Sequence, residues 1–245
     1  MLETTRYGTG APPLVIAHGL FGSARNWGVI AKRLADRREV IVPDMRNHGT
    51  SFRAETQSYP DMAGDLAELI EGRADVLGHS MGGKAAMVLA LSQPSSVRRL
   101  VVADIAPVSY SHSQAHLIAA MRGVDVASVA SRGEARAQLD VEDEGVAAFL
   151  LQSLDLKERR WRLNLDVLER EMGAVIGFPD VAGRFEGPVL FLSGGASDYV
   201  RAEHRARISE LFPAAEFVSI PGAGHWLHAE KPREFEAAVR AFLEG

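Results

Sequence analysis

The sequence contains no cysteine, which excludes disulfides, thiol nucleophiles and thiolate metal sites. No apolar run approaches the roughly 20 residues that a bilayer span requires, so no membrane span is expected. The opening stretch, Met1 to Arg6, has no apolar signal region, and the expected location is cytoplasmic. A large excess of one charge is also missing. Lys and Arg number 27 against 32 Asp and Glu, and no basic stripe is visible, so nucleic acid is not an expected partner. There is no internal repeat, no low-complexity tract and no metal or nucleotide motif, so neither metal nor cofactor is expected. What remains is a chain of 245 residues, 47% hydrophobic and 24% charged, with enough apolar material for one large core.

The most informative stretch is Val76-Leu77-Gly78-His79-Ser80-Met81-Gly82-Gly83. A short apolar run, Ala74 to Leu77, reads as a buried strand, and an Ala-rich helical stretch, Lys84 to Leu91, follows the Gly-x-Ser-x-Gly. Strand, Gly-x-Ser-x-Gly and helix in that order make a nucleophile elbow. The turn is so sharp that neighbouring Cβ atoms would collide, which is why glycine flanks the serine. It would hold the Ser80 hydroxyl at a helix N-terminus, where the Met81 N–H and the helix dipole face a developing oxyanion.

Taken in order, residues 2–7 read as an edge strand and Leu14–Ala17 as a strand buried on both faces. A helix with Trp27, Ile30, Ala31 and Leu34 on one side follows, then the strand Val40–Val42 and an amphipathic helix over Tyr59–Ile70. After the elbow, Val97–Ala103 is another buried strand. From Val108 to Gly187 the alternation stops, and helices are expected at Gln114–Met121, Val124–Gln138, Gly145–Leu154 and Leu165–Met172. The alternation resumes with the strand Pro188–Leu192, a helix near Ala202–Leu211, the strand Glu216–Ile220 and a last helix, Pro232–Leu243. This predicts an α/β fold, a doubly wound and mostly parallel sheet of seven or eight strands. The core comprises 1–107 and 188–245, and 108–187 forms a helical cap inserted after the strand that follows the nucleophile strand.

A serine hydroxyl needs a base within hydrogen-bond reach, and the chain has eight histidines. His225 follows a strand end, is freed by glycines on both sides of Ala223 and comes late in the chain; it is the expected base. His18 is expected to order its loop, His79 to leave the elbow in another direction, and His48 to line the site. His112, His116 and His204 fall on expected helices, and His228 reads as packing behind the site. The second oxyanion donor should come from the loop after the early strand, which names the Leu20 N–H, with Phe21 as the alternative. The acid stays open between Asp198, in the loop after Pro188–Leu192, and Asp104, at the end of the strand beside the elbow. Lys84, on the first turn of the elbow helix, either attracts an anionic substrate or makes a local ion pair; the pair is the favoured reading. The arginines Arg159, Arg160 and Arg162 could meet a CoA phosphate, though a charge run is more simply a solvated face. Leu117, Met121, Phe149 and Leu150 of the cap are the candidates for lining an acyl pocket.

Together, His18-Gly-Leu-Phe-Gly-Ser23, Asp44-Met-Arg-Asn-His-Gly-Thr-Ser51, Gly78-His-Ser-Met-Gly-Gly-Lys84, Asp104-Ile-Ala-Pro107 and Gly222-Ala-Gly-His-Trp-Leu-His-Ala-Glu-Lys-Pro232 resemble the α/β-hydrolase family, closest to YbfF-type bacterial esterases. The resemblance implies a serine carboxylesterase or thioesterase acting through an acyl-enzyme on a small acyl ester or acyl-CoA. It also implies that Asp104 is the acid and that Ser197 assists near the histidine; the family order Ser…Asp…His suits His225. The chain departs from the pattern by placing Asp198 directly after Ser197. Other chemistries on the same residues are a cofactor-free perhydrolase, a C–C hydrolase or a lyase, and outside catalysis a small-ligand receptor. Composition and motifs leave the oligomeric state open.

Overall fold

The computed structural model describes residues 1–245. Seven strands form one sheet: β1 (Thr4–Tyr7), β2 (Leu14–Ala17), β3 (Val40–Pro43), β4 (Ala74–His79), β5 (Val97–Ala103), β8 (Val189–Gly194) and β9 (Ala215–Ile220). Their spatial order is β1-β3-β2-β4-β5-β8-β9. Only β1 is antiparallel, pairing with β3 from Thr4 opposite Pro43 to Tyr7 opposite Val40. The elbow strand β4 sits at the centre, between β2 and β5.

Side chains alternate across a strand, so each central strand feeds two apolar layers. On one face Leu14, Ile16, Leu77, Val101, Ala103, Leu190 and Leu192 pack with α1 (Gly28–Leu34) and α11 (Pro232–Glu244). On the other, Val15, Val76, Leu100, Val102 and Phe191 pack with α2 (Tyr59–Ala67), α3 (Met81–Ser92) and α9 (Arg205–Leu211). Every residue of α3 from Met81 to Leu91 is buried. A helix buried on all sides belongs inside a protein, and α3 lies against the middle of the sheet.

Between β5 and β8 the chain makes α4 (Ala115–Arg122), α5 (Arg132–Gln138), α6 (Glu144–Leu151), a small hairpin of β6 (Leu154–Asp155) and β7 (Arg160–Trp161), α7 (Leu165–Arg170) and α8 (Met172–Ile176). Several expected helices are shorter than their apolar spacing predicts, among them α2, which ends at Ala67, and α7, which ends at Arg170. The stretch expected as helical from Val124 is a turn up to Ala130, because the Asp125 carboxylate accepts the Ala127 N–H at 3.1 Å and competes with helix bonding. The helix begins only at Arg132, where Ser131 Oγ accepts the Glu134 N–H at 3.2 Å. Likewise α6 stops at Leu151, and the next residues enter a hairpin closed by Asp155, which accepts the Lys157 and Glu158 N–H groups at 3.1 Å. A short helix, α10 (Leu227–Glu230), also follows His225 where a loop was expected.

The insert is tied to the core at a loop after β3. There Asn164 N–H donates to the Asn47 carbonyl at 2.9 Å, and Asn164 Nδ2 donates to Asn47 Oδ1 at 3.0 Å. No helix is long and apolar enough to cross a membrane.

Candidate active site

At the carboxyl ends of β2, β4 and β5 the chain leaves the sheet in three strained turns. Phe21, Ser80 and Asp104 all have positive φ, at 63°, 52° and 50°. Such conformations cost on the order of 1–3 kcal/mol each and persist where the surroundings over-determine them. Around Ser80 the constraint is visible: a Cβ on Gly78 would lie 2.2 Å from the Gly82 carbonyl oxygen, and one on Gly82 2.3 Å from that of Ala17. Both glycines are therefore sterically required. Ser80 stands immediately before α3, whose first N–H, that of Met81, has no intrahelical acceptor.

Asp104 is fully buried. Its Oδ1 accepts the Gly194 N–H at 3.0 Å, and its Oδ2 accepts both His225 Nδ1–H at 2.8 Å and the Ser197 hydroxyl at 2.5 Å. A buried carboxylate only accepts, so the His225 proton sits on Nδ1 and Nε2 is left as the acceptor. Asp198 is exposed and takes no part in this cluster; its carbonyl accepts from Arg201 Nε at 3.1 Å. The one-residue offset from Ser197 turns its carboxylate to solvent, so the alternative acid is not supported.

Ser80, His225, Leu20 and Met81 all line one cavity of about 560 Å³. That is within the ordinary range for a small-ligand site. The Leu20 N–H has no backbone acceptor. The Phe21 N–H, by contrast, donates to His48 Nε2 at 3.2 Å, which removes Phe21 as the alternative oxyanion donor. His48 is itself fully buried and outside the cavity lining, contrary to expectation. Its Nδ1–H donates to the Arg46 carbonyl at 2.8 Å, and burial drives its pKa to about 3. His48 therefore serves as a neutral strut between two loops. His18 plays the loop-ordering part expected of it, with Nδ1–H donating to the Gly19 carbonyl at 2.8 Å and Nε2 accepting the Met45 N–H at 2.9 Å.

His79 donates from Nε2 to the His225 carbonyl at 2.8 Å and lines the same cavity as Ser80. Burial holds its pKa well below the usual imidazole value. His228 stacks on Trp27 with ring centroids 4.2 Å apart, and burial lowers its pKa to about 3. His112 and His116 line the cavity. His112 lies in a loop, not on a helix, and its Nε2 is 2.8 Å from the Tyr199 hydroxyl.

Lys84 makes no ion pair. It is buried with no carboxylate in reach, and its ammonium donates to the carbonyls of Ile176 at 2.9 Å and Gly177 at 2.5 Å, at the end of α8. The amine also lies 4.8 Å from the Tyr110 ring centre and 5.6 Å from that of Tyr59. Burial pushes its pKa down to about 7. Carbonyls and aromatic faces thus replace the expected counter-ion, and the side chain joins the elbow helix to the insert.

Of the four acyl-pocket candidates, Leu117 and Phe149 line the cavity, whereas Met121 and Leu150 are fully buried in the core beneath it. Neighbouring helix positions differ by about 100° in direction, so Phe149 and Leu150 cannot share a face. The positions sequence spacing missed are Val146, one turn before Phe149, together with Val175, Ile176 and Trp226. Arg159, Arg160 and Arg162 are all outside the lining, and Arg162 pairs with Asp155 at 2.8 Å.

This geometry agrees with what the chain resembles. The sn-1-specific diacylglycerol lipase ABHD11 of Mus musculus is 42% identical over 249 residues, which covers 95% of this chain and 81% of the lipase. The Esterase YbfF of Escherichia coli (strain K12) is 39% identical over 239 residues, covering 94% of this chain and 92% of YbfF. A solved structure, a marine microorganism esterase, superposes with a TM-score of 0.94 at 38% identity and covers 98% of both chains. The family description "alpha/beta hydrolase fold" matches residues 12–232, and the chain belongs to that family.

Proposed function

We propose that the protein is a serine hydrolase that cleaves carboxylic esters through an acyl-enzyme. The observation that carries this reading is the 2.8 Å bond from His225 Nδ1 to the buried Asp104 carboxylate, beside a cavity that Ser80 and His225 both line. Asp104 fixes the tautomer, so Nε2 is free to take the Ser80 proton as Oγ attacks the acyl carbon. The negative charge that develops on the carbonyl oxygen is received by the Met81 and Leu20 N–H groups. His225 then passes the proton to the departing alkoxide. A water, deprotonated by the same nitrogen, cleaves the acyl-enzyme and returns the proton to Ser80. The Ser197 hydroxyl, on the same Asp104 oxygen as His225, helps to hold the carboxylate against the imidazole.

Residues 108–187 act as a cap whose Leu117, Val146 and Phe149 supply the apolar wall for the acyl chain. An uncharged ester is favoured over an acyl-CoA by the charges at the cavity. Asp140, Glu142 and Asp143 line it, no arginine does, and the one lysine, Lys84, already gives protons to two carbonyls. The CoA phosphates would thus meet carboxylates and no free cation. The ligand in the mouse relative's name, a diacylglycerol, is uncharged. The thioester reading is retained as second, since the same chemistry opens a thioester.

The test is a panel of p-nitrophenyl esters and matching acyl-CoAs, assayed with wild type and Ser80→Ala. Esters should turn over faster than acyl-CoAs of equal chain length, and Ser80→Ala should lose several orders of magnitude of kcat. Faster acyl-CoA turnover would favour the thioester reading. Binding of esters without turnover would point to a receptor on a hydrolase fold.

A further inference from the structure

Tyr199 follows Ser197 and Asp198 in the loop after β8, and nothing in the chemistry above gives it a part. We infer that Tyr199 is a positioning residue for His225, whose ring holds the imidazole in place and stabilises the imidazolium formed during proton transfer. The inference rests on His225 being the base. The two rings are stacked, with centroids 4.0 Å apart and planes 20° from parallel. The other rings beside His225, those of His79 and Trp226, lie at 4.7 and 6.3 Å and are tilted by 41° and 56°.

Tyr199 is itself fixed at three points. Its N–H donates to Ser197 Oγ at 3.3 Å, its carbonyl accepts the Tyr110 hydroxyl at 2.7 Å, and its own hydroxyl is 2.8 Å from His112 Nε2. The Ser197 oxygen in turn donates to the Asp104 oxygen that holds His225. Ring and carboxylate are therefore parts of one bonded unit, and the ring cannot drift from the imidazole without breaking it. The negative face of an aromatic ring attracts a cation. Neutral His225 gains only packing from the stack, whereas protonated His225 gains electrostatic stabilisation as well. That differential is what accelerates a step whose transition state carries the charge.

The charged and titratable groups around His225 are the following. Asp104 faces Nδ1, and Glu230 accepts the adjacent Gly224 N–H at 2.7 Å. His79 and His228 are held neutral by burial, His112 is on the Tyr199 hydroxyl, and His18, Lys84, Tyr110, His116, Asp140, Glu142 and Asp143 share the cavity. None of them stacks on the imidazole as Tyr199 does.

The experiment compares Tyr199→Leu and Tyr199→Phe with wild type. Active sites are counted by titration with a serine-directed phosphonate, and kcat/KM is followed against pH. Leucine keeps an apolar neighbour and removes the ring. Its kcat per titrated site should fall about 2- to 30-fold, and the acid limb of kcat/KM should move to lower pH by about 0.5 to 1.5 units. Phenylalanine keeps the ring and loses only the hydroxyl, and both quantities should return close to wild type. If the leucine variant does not fold, Tyr199→Met makes the same comparison. A leucine or methionine variant whose acid limb coincides with wild type would overturn the inference, since a merely structural role lowers rate without moving the limb. So would a phenylalanine variant as impaired as leucine. A wild-type chain that takes no phosphonate at Ser80 would overturn the underlying assignment of the base, and this inference with it.

Discussion

Asp104 and His225 stand 121 residues apart in the chain, and a 2.8 Å hydrogen bond joins them. The sheet makes this contact possible. Asp104 directly follows β5 and Gly194 ends β8, two neighbouring parallel strands, and the Gly194 N–H is bonded to Asp104 Oδ1 at 3.0 Å. His225 arrives on the loop after β9, the next strand over. Three successive strand ends thus deliver an acid, a clamp on that acid and an imidazole to one point.

The pair predicts which carboxylate matters. Asp104→Asn keeps the shape but presents an amide, which favours the wrong imidazole tautomer; kcat should fall on the order of 10⁴-fold. Asp198→Asn, at an exposed side chain outside the cluster, should leave kcat close to wild type. Steady-state kinetics on one ester decides it, and a large loss in the Asp198 variant would reassign the acid.

Core and cavity should separate cleanly in the insert. Leu117→Ala and Phe149→Ala enlarge the cavity and should shift preference toward longer acyl chains with little change in stability. Met121→Ala and Leu150→Ala leave holes in the packed layer and should each cost about 2–5 kcal/mol, with the chain-length profile unchanged. Denaturant melts and an ester chain-length series measure both. A shifted profile in the Met121 or Leu150 variant would contradict the assignment of the wall.

That division marks where sequence reading stops. The sheet and the elbow were legible because continuous apolar runs and two sterically required glycines leave a chain few options. The choice of Asp104 was legible as a preference, and Asp198 fell away once the direction of a tight loop was known. Lys84 was misread because a buried ammonium can be satisfied by carbonyls as well as by a carboxylate, and which of them reaches it is set by tertiary packing. Here α3 is enclosed, and carbonyls from a helix 92 residues later serve instead. His48 and Phe21 were misread for a related reason: their mutual bond depends on the relative height of two loops, which no local pattern encodes. The stack of Tyr199 on His225 was equally invisible, since an isolated tyrosine in a loop has no distinguishing spacing.

Buried histidines should make the fold acid-sensitive. His228 has its pKa lowered from 6.5 to about 3 by burial, so between those values the unfolded chain binds a proton that the folded one refuses. Its contribution to stability is complete above pH 6.5 and is lost as pH falls toward 3, at most about 5 kcal/mol for this group. His228→Phe keeps a ring against Trp27 and has nothing to titrate. Its Tm should therefore fall less steeply than that of wild type between pH 6.5 and 4, with His48, lowered likewise, accounting for part of the remaining slope. Parallel Tm profiles for the two proteins would contradict this.

The central claim is that Ser80 is a nucleophile activated by His225, and covalent trapping tests it most directly. A serine-directed alkyl phosphonate, followed by peptide mass spectrometry, should place one adduct per chain on Ser80 as ester hydrolysis is lost. His225→Ala should slow the labelling by orders of magnitude, because the hydroxyl is a weak nucleophile without its base. An adduct at another residue, or hydrolysis that survives complete labelling of Ser80, would contradict it.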